Sequence, residues 1–91
     1  MREQLNNEIV MKRLKRIEGQ MRGIMKMIEH DKSCEEILIQ IGSAKSALHK
    51  TGQVILENHF HDCVSNGIRS GKEKDTIERL SSAIEQFSRI V

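Results

Sequence analysis

The chain contains no proline, no tryptophan and no tyrosine, and only two phenylalanines, Phe60 and Phe87. Without proline, nothing forces a helix to stop. Without large aromatics, the apolar content is mainly Ile, Leu and Met with some Val and Ala, and it is its spacing that favours helices over strands. No strand-type alternation, internal repeat or low-complexity run is present. The N-terminal residues Met1, Arg2, Glu3 and Gln4 form no apolar signal region, and no stretch is long enough to span a bilayer, so a cytoplasmic protein is expected. Neither a nucleophile–base–orienter set nor a phosphate loop occurs, which argues against an enzyme. With 91 residues and so few large side chains, a single domain over 1–91 would be marginal alone, and burial between subunits is the expected remedy.

What is present reads as three helical segments. In the first, Val10, Leu14, Ile17, Met21, Ile24 and Ile28 recur in steps of four and three, a seam that wants a partner helix. His30, Asp31 and Lys32 read as a turn. The second segment opens on Ser33 with Glu36 three residues later, the spacing of a capping box. Its stripe of Ile37, Ile41, Ala44, Leu48 and Ile55 runs to about Cys63, roughly 45 Å of helix at 1.5 Å per residue. Ser65 to Lys74, with Gly67 and Gly71, reads as a connector. The third helix is expected to begin near Asp75, with Glu78 completing a second box-like cap, and to carry Ile77, Leu80, Ile84, Phe87 and Val91 inward. The fold class is all-α.

The net charge of +2 conceals an uneven distribution. Lys12, Arg13, Lys15, Arg16, Arg22 and Lys26 stand against Glu18 alone, while acids gather at Glu29, Asp31, Glu35 and Glu36. A localised basic face is the footprint of a polyanion partner, most often nucleic acid, although a solvated helix face has the same composition.

The two cysteines, Cys34 and Cys63, are expected as reduced thiols that could be core filler, a metal site or a redox pair. His59 and Cys63, four apart on a helix, share a face and can hold one ion. Cys34 lies 25 positions before His59, ~37 Å along a continuous helix. One chain therefore cannot gather all three. Two such helices packed antiparallel would bring Cys34 of one chain to His59 and Cys63 of the other. Two thiolates and an imidazole suit a soft, low-coordinate cation such as Cu(I), whereas structural zinc normally takes a fourth protein ligand. Cys34 also follows Ser33 at a helix start, where the dipole favours a thiolate. His61 points about 160° from Cys63 and is read as a surface residue. His30 and His49 have no cysteine at ligand spacing, and Met11, Met21, Met25 and Met27 are read as seam or core.

The run Leu14-Lys15-Arg16-Ile17-Glu18-Gly19-Gln20-Met21-Arg22-Gly23-Ile24, the lone Cys34 opening the next helix, and Glu57-Asn58-His59-Phe60-His61-Asp62-Cys63 together resemble the copper-sensitive operon repressor (CsoR) family. The resemblance covers about Arg13 to Phe87. It implies a three-helix protomer, an antiparallel four-helix-bundle dimer and a dimer of dimers. It also implies a metal-free form that binds double-stranded operator DNA, a Cu(I) form that releases it, control of copper efflux and homeostasis genes, and a copper chaperone as a further partner. Cys34, His59 and Cys63 match the family's copper ligands. Arg13, Arg16 and Lys50 match positions implicated in DNA contact, and Glu78 falls near an acid that lies just outside the copper ligands. No histidine precedes His30, unlike the nickel/cobalt branch, and the N-terminal proline of the formaldehyde branch is missing. Ser33 stands where copper sensors often carry tyrosine.

Two rival readings remain. A persulfide- or thiol-sensing repressor of the same fold would link Cys34 to Cys63 and leave His59 a bystander. A purely structural helical module would bury both cysteines and bind neither metal nor DNA.

Overall fold

The computed structural model describes residues 2–89, with side chains for 7–57 and 64–89. It consists of three helices, α1 (Arg2–Glu29), α2 (Cys34–Arg69) and α3 (Glu73–Ser88), with no strand among the described residues. They form two compact units, Met1–Val54 and Ile55–Val91, and α2 contributes to both.

In the first unit α1 packs on the N-terminal part of α2. Val10 and Ile17 are the buried apolar residues and Thr51 is fully covered. Full burial of such an aliphatic side chain stabilises by about 1.5–3 kcal/mol. The Thr51 hydroxyl donates to the Ala47 carbonyl at 2.9 Å, which satisfies it without a partner helix. The alternation expected along α1 resolves into two unequal halves. Val10 and Ile17 face α2 and Ile24 is half-buried, whereas Leu14, Met21 and Ile28 are exposed, the last two by 56% and 58%. The partner helix that the seam calls for is α2, and it covers one flank only.

Both interhelical turns end by the same device. After α1, Asp31 takes a left-handed conformation (φ 52°), with Lys32 N–H donating to Met27 O (2.9 Å) and Asp31 N–H to Ile28 O (3.2 Å). After α2, Gly71 does the same (φ 73°), with Lys72 N–H to Gly67 O (2.9 Å) and Gly71 N–H to Ile68 O (3.1 Å). These paired bonds satisfy carbonyls that a helix end leaves open. The new helix α2 starts where the capping-box spacing places it. The Ser33 hydroxyl accepts from Glu36 N–H at 3.2 Å, and Cys34 is the first helical residue.

The second unit departs from the sequence expectation at two points. Helix α2 does not stop near Cys63 but continues to Arg69, so the expected connector over 65–74 shrinks to the three residues between Arg69 and Glu73. Gly67 is helical and buried because α3 crosses it: a Cβ there would collide with the side chain of Thr76. The glycine marks a close helix approach rather than a break. Helix α3 begins at Glu73 rather than Asp75, and its N-cap Lys72 makes no side-chain capping bond. Asp75 instead pairs with Arg79 one turn on at 3.0 Å, and with Glu73 places acid in the first turn, where the helix dipole favours it. Leu80, Ile84 and Phe87 are half-buried, as their spacing predicts, and Ile77 is exposed. Val91 lies outside the described residues.

Candidate functional site

Two concave surfaces flank the α1–α2 pair in the first unit, and they differ in chemistry. The first is a cleft of about 280 Å³ whose rim carries Arg13, Arg16 and Lys50, with Gln20 and Ser43 in its walls and Ile17, Ala47 and Thr51 beneath. Arg13 and Arg16 stand three apart on α1, followed four later by Gln20, so all three project from one face. On α2, Ser43, Ala47 and Lys50 follow the same three-four spacing. The three basic residues named from the sequence are thus brought to one cleft. No carboxylate lines it. Among the described residues, ion pairs join Arg22 to Glu18, Arg79 to Asp75 and Arg89 to Glu85. Glu18, the one acid amid the basic run, is therefore turned to Arg22 rather than to the cleft.

The second surface is a groove of about 500 Å³ lined by Met21, Ile24, Met25, Ile41, Ala44 and Leu48, with Ile17 as its shared wall and Lys45 at its edge. Met21, Met25, Ile41 and Leu48 are all exposed. So much contiguous apolar surface is unusual on a chain that acts alone.

The sulfur and imidazole ligands stand differently. Cys34 is a free, exposed thiol at the first position of α2. His59 and Cys63 belong to the helical stretch of α2, and their side chains lie outside the described residues. Among the described residues, no three His, Cys, Asp or Glu side chains gather as a metal site. Glu78 is exposed on α3. Ser33, at the position where copper sensors often carry tyrosine, spends its hydroxyl on the cap of α2. His30 is held by a 2.7 Å bond from Nδ1 to the Lys26 carbonyl and serves the end of α1.

Comparison with known proteins settles the class. The family described as metal-sensitive transcriptional repressor matches residues 6–88. The chain belongs to that family. Among its relatives is the copper-sensing transcriptional repressor CsoR of Bacillus subtilis, 42% identical over 77 residues that make up 85% of this chain and 76% of that protein. RicR of Mycobacterium tuberculosis, also a copper-sensing transcriptional repressor, is 45% identical over 60 residues, 66% of this chain and 62% of that one. Of solved structures, CsoR with Cu(I) from Geobacillus thermodenitrificans superposes with a TM-score of 0.81 at 44% identity, covering 90% of this chain and 85% of that chain. The nickel-responsive regulator InrS superposes with a TM-score of 0.72 at 30% identity over 88% and 90%. A fold shared by copper and nickel regulators leaves the choice of metal to the donor residues. The members of this repressor family regulate transcription by binding and are not enzymes. No helix of the described residues is long and apolar enough to cross a membrane.

The sequence reading missed Gln20, Ser43 and Thr51 as parts of the cleft. The signal was available: Gln20 continues the Arg13–Arg16 spacing, and Ser43 precedes Lys50 by seven residues, two turns of helix.

Proposed function

We propose that this repressor responds to Cu(I): its metal-free form binds operator DNA, and copper binding releases it, controlling copper homeostasis genes. Cys34, His59 and Cys63 hold the metal, two thiolates and one imidazole, a donor set that suits a soft monovalent ion in the reducing cytoplasm. The ligands come from two chains, Cys34 from one and His59 with Cys63 from the other, and a copper chaperone could load such a thiolate site by ligand exchange. The bare flank of α1 and the apolar groove support a second copy as the partner, in an antiparallel four-helix bundle that pairs again into a tetramer. Glu78 on α3, which matches an acid just outside the family's copper ligands, is the candidate to act on the site from outside the ligand set.

One observation carries the coupling. Helix α2 bears all three metal ligands and, between them, Ser43, Ala47 and Lys50 of the basic cleft. A metal that fixes α2 against its twin therefore shifts one wall of the surface that contacts DNA. Arg13, Arg16 and Lys50 bind backbone phosphates, so affinity falls steeply with salt. Copper needs only to favour the released arrangement by about 1–3 kcal/mol, a 5- to 150-fold change in DNA affinity.

Operator affinity measured anaerobically by fluorescence anisotropy, with and without Cu(I), tests the reading. The expected result is tight binding by the metal-free protein, weakening on copper addition, and a lost response in His59→Ala. Equal affinities with and without copper would defeat it. A parent chain released from DNA by persulfide and not by copper, with that response kept in His59→Ala, would point to the thiol switch.

A further inference from the structure

The basic cleft carries more than its three cations. Its lining holds no acid, and its uncharged polar side chains, Gln20, Ser43 and Thr51, are not equivalent. Thr51 is 1% exposed and its hydroxyl hydrogen is committed to the Ala47 carbonyl, so it is floor. Gln20 is half-buried, and its Nε2 donates to Ser43 Oγ at 3.5 Å, the far limit of a hydrogen bond. Little is lost by breaking that contact. The Gln20 amide retains a second hydrogen, and the Ser43 hydroxyl has one of its own to give. Two neutral donors thus stand between three cations, over a floor closed by Ile17 at 6% exposure.

We propose that this cleft seats a single DNA backbone phosphate, with Gln20 and Ser43 donating to its oxygens beside Arg13, Arg16 and Lys50. The inference rests on the reading of this face as the DNA contact and adds two residues and a ligand geometry to it. A cleft of about 280 Å³ is at the small end of ligand sites, which start near about 300 Å³. A projecting phosphate fits it better than a base pair, whose edge lies at the bottom of a groove. The neutral donors also fix the phosphate in register, since a hydrogen bond is directional where an ammonium charge is not.

The two kinds of donor differ in what they do to salt dependence and sequence preference. Removing a cation lowers the slope of log K against log salt by about 0.9 per phosphate contact. Removing a neutral donor to phosphate leaves that slope intact and weakens all duplexes alike. The test compares the metal-free full chain with Gln20→Ala, Gln20→Glu, Ser43→Ala and Arg13→Ala, on the operator and on an unrelated duplex, across a salt series. Circular dichroism and Cu(I) affinity report that each variant is folded and loads metal. Gln20→Ala and Ser43→Ala are expected to lose about three- to tenfold on both duplexes with an unchanged slope. Gln20→Glu, isosteric but anionic, loses more than Gln20→Ala on both. Arg13→Ala flattens the slope. If Arg13→Ala weakens binding and the Gln20 and Ser43 variants do not, the phosphate seat is wrong while the DNA face stands. A loss confined to the operator would make Gln20 a reader of base edges and overturn the proposal. If Arg13→Ala itself binds as tightly as the parent chain, the DNA face and the seat built on it fall together.

Discussion

The basic cleft and the apolar groove share the buried Ile17 and both draw one wall from α1 and one from α2, yet their chemistry is opposite. On one side Arg13, Arg16 and Lys50 bring three cations, with the neutral hydrogen-bonding side chains of Gln20 and Ser43 beside them and no carboxylate. On the other, Met21, Met25, Ile41 and Leu48 offer only carbon and sulfur. The same two helices thus present a face suited to a polyanion and a face suited to another helix, with a single aliphatic residue between them. A change in how the apolar side is covered would tilt α2 and reach the basic side through that shared wall. On the proposed mechanism, this proximity is what would let a small ligand held between chains control a large one on the surface.

The largest effect is expected on the apolar side. Leu48→Glu puts a carboxylate into the groove, exposed in the single chain and buried once a partner covers it. An unpaired charge buried in this way costs about 3–5 kcal/mol. Sedimentation velocity should show a folded chain whose self-association is weakened at least about a hundredfold; assembly like the parent's would mean the groove faces solvent. Ile17→Ala should come next, with a loss of about 2–5 kcal/mol in denaturant unfolding, because a cavity opens between the two surfaces. A cost below about 1 kcal/mol would show that the wall between them is dispensable. Ser33→Ala is the smallest, about 1 kcal/mol from the lost cap of α2. Its unfolding midpoint should drop slightly while operator affinity in the metal-free form stays put, since neither surface includes it.

Much of the architecture was legible in the sequence where a local signal had one meaning. Ser33 and Glu36 at capping-box spacing placed the start of α2, and the structure supplies the Ser33–Glu36 bond. The steps of four and three along α1 gave a helix and its seam, though spacing could not say which half α2 would take. Where a signal had two meanings, the sequence misled. Gly67 among Ser65, Ser70 and Gly71 looked like a connector, but a glycine that admits Thr76 of α3 is indistinguishable in sequence from one that breaks a helix. Asp75 and Glu78 matched a cap, but Asp75 has an equally good partner in Arg79 one turn later. The cleft was half legible. Arg13 and Arg16 announce themselves in a basic run, whereas Lys50 reaches them only through the α1–α2 packing, and neutral Gln20 and Ser43 carry no charge signal at all.

The proposed mechanism requires Cu(I) to be held by donors from two chains. Cys34→Ser and Cys63→Ser chains should each bind no copper tightly alone. Unfolded and refolded together, they form mixed dimers in which Cys34 of one chain meets His59 and Cys63 of the other. In a two-fold dimer with random exchange, that restores about a quarter of the parent's high-affinity sites, to be counted by anaerobic Cu(I) titration against a chromophoric competitor. Recovery of that fraction is the predicted result. A mixture that binds no more copper than its separate components would contradict the shared site and the mechanism drawn from it.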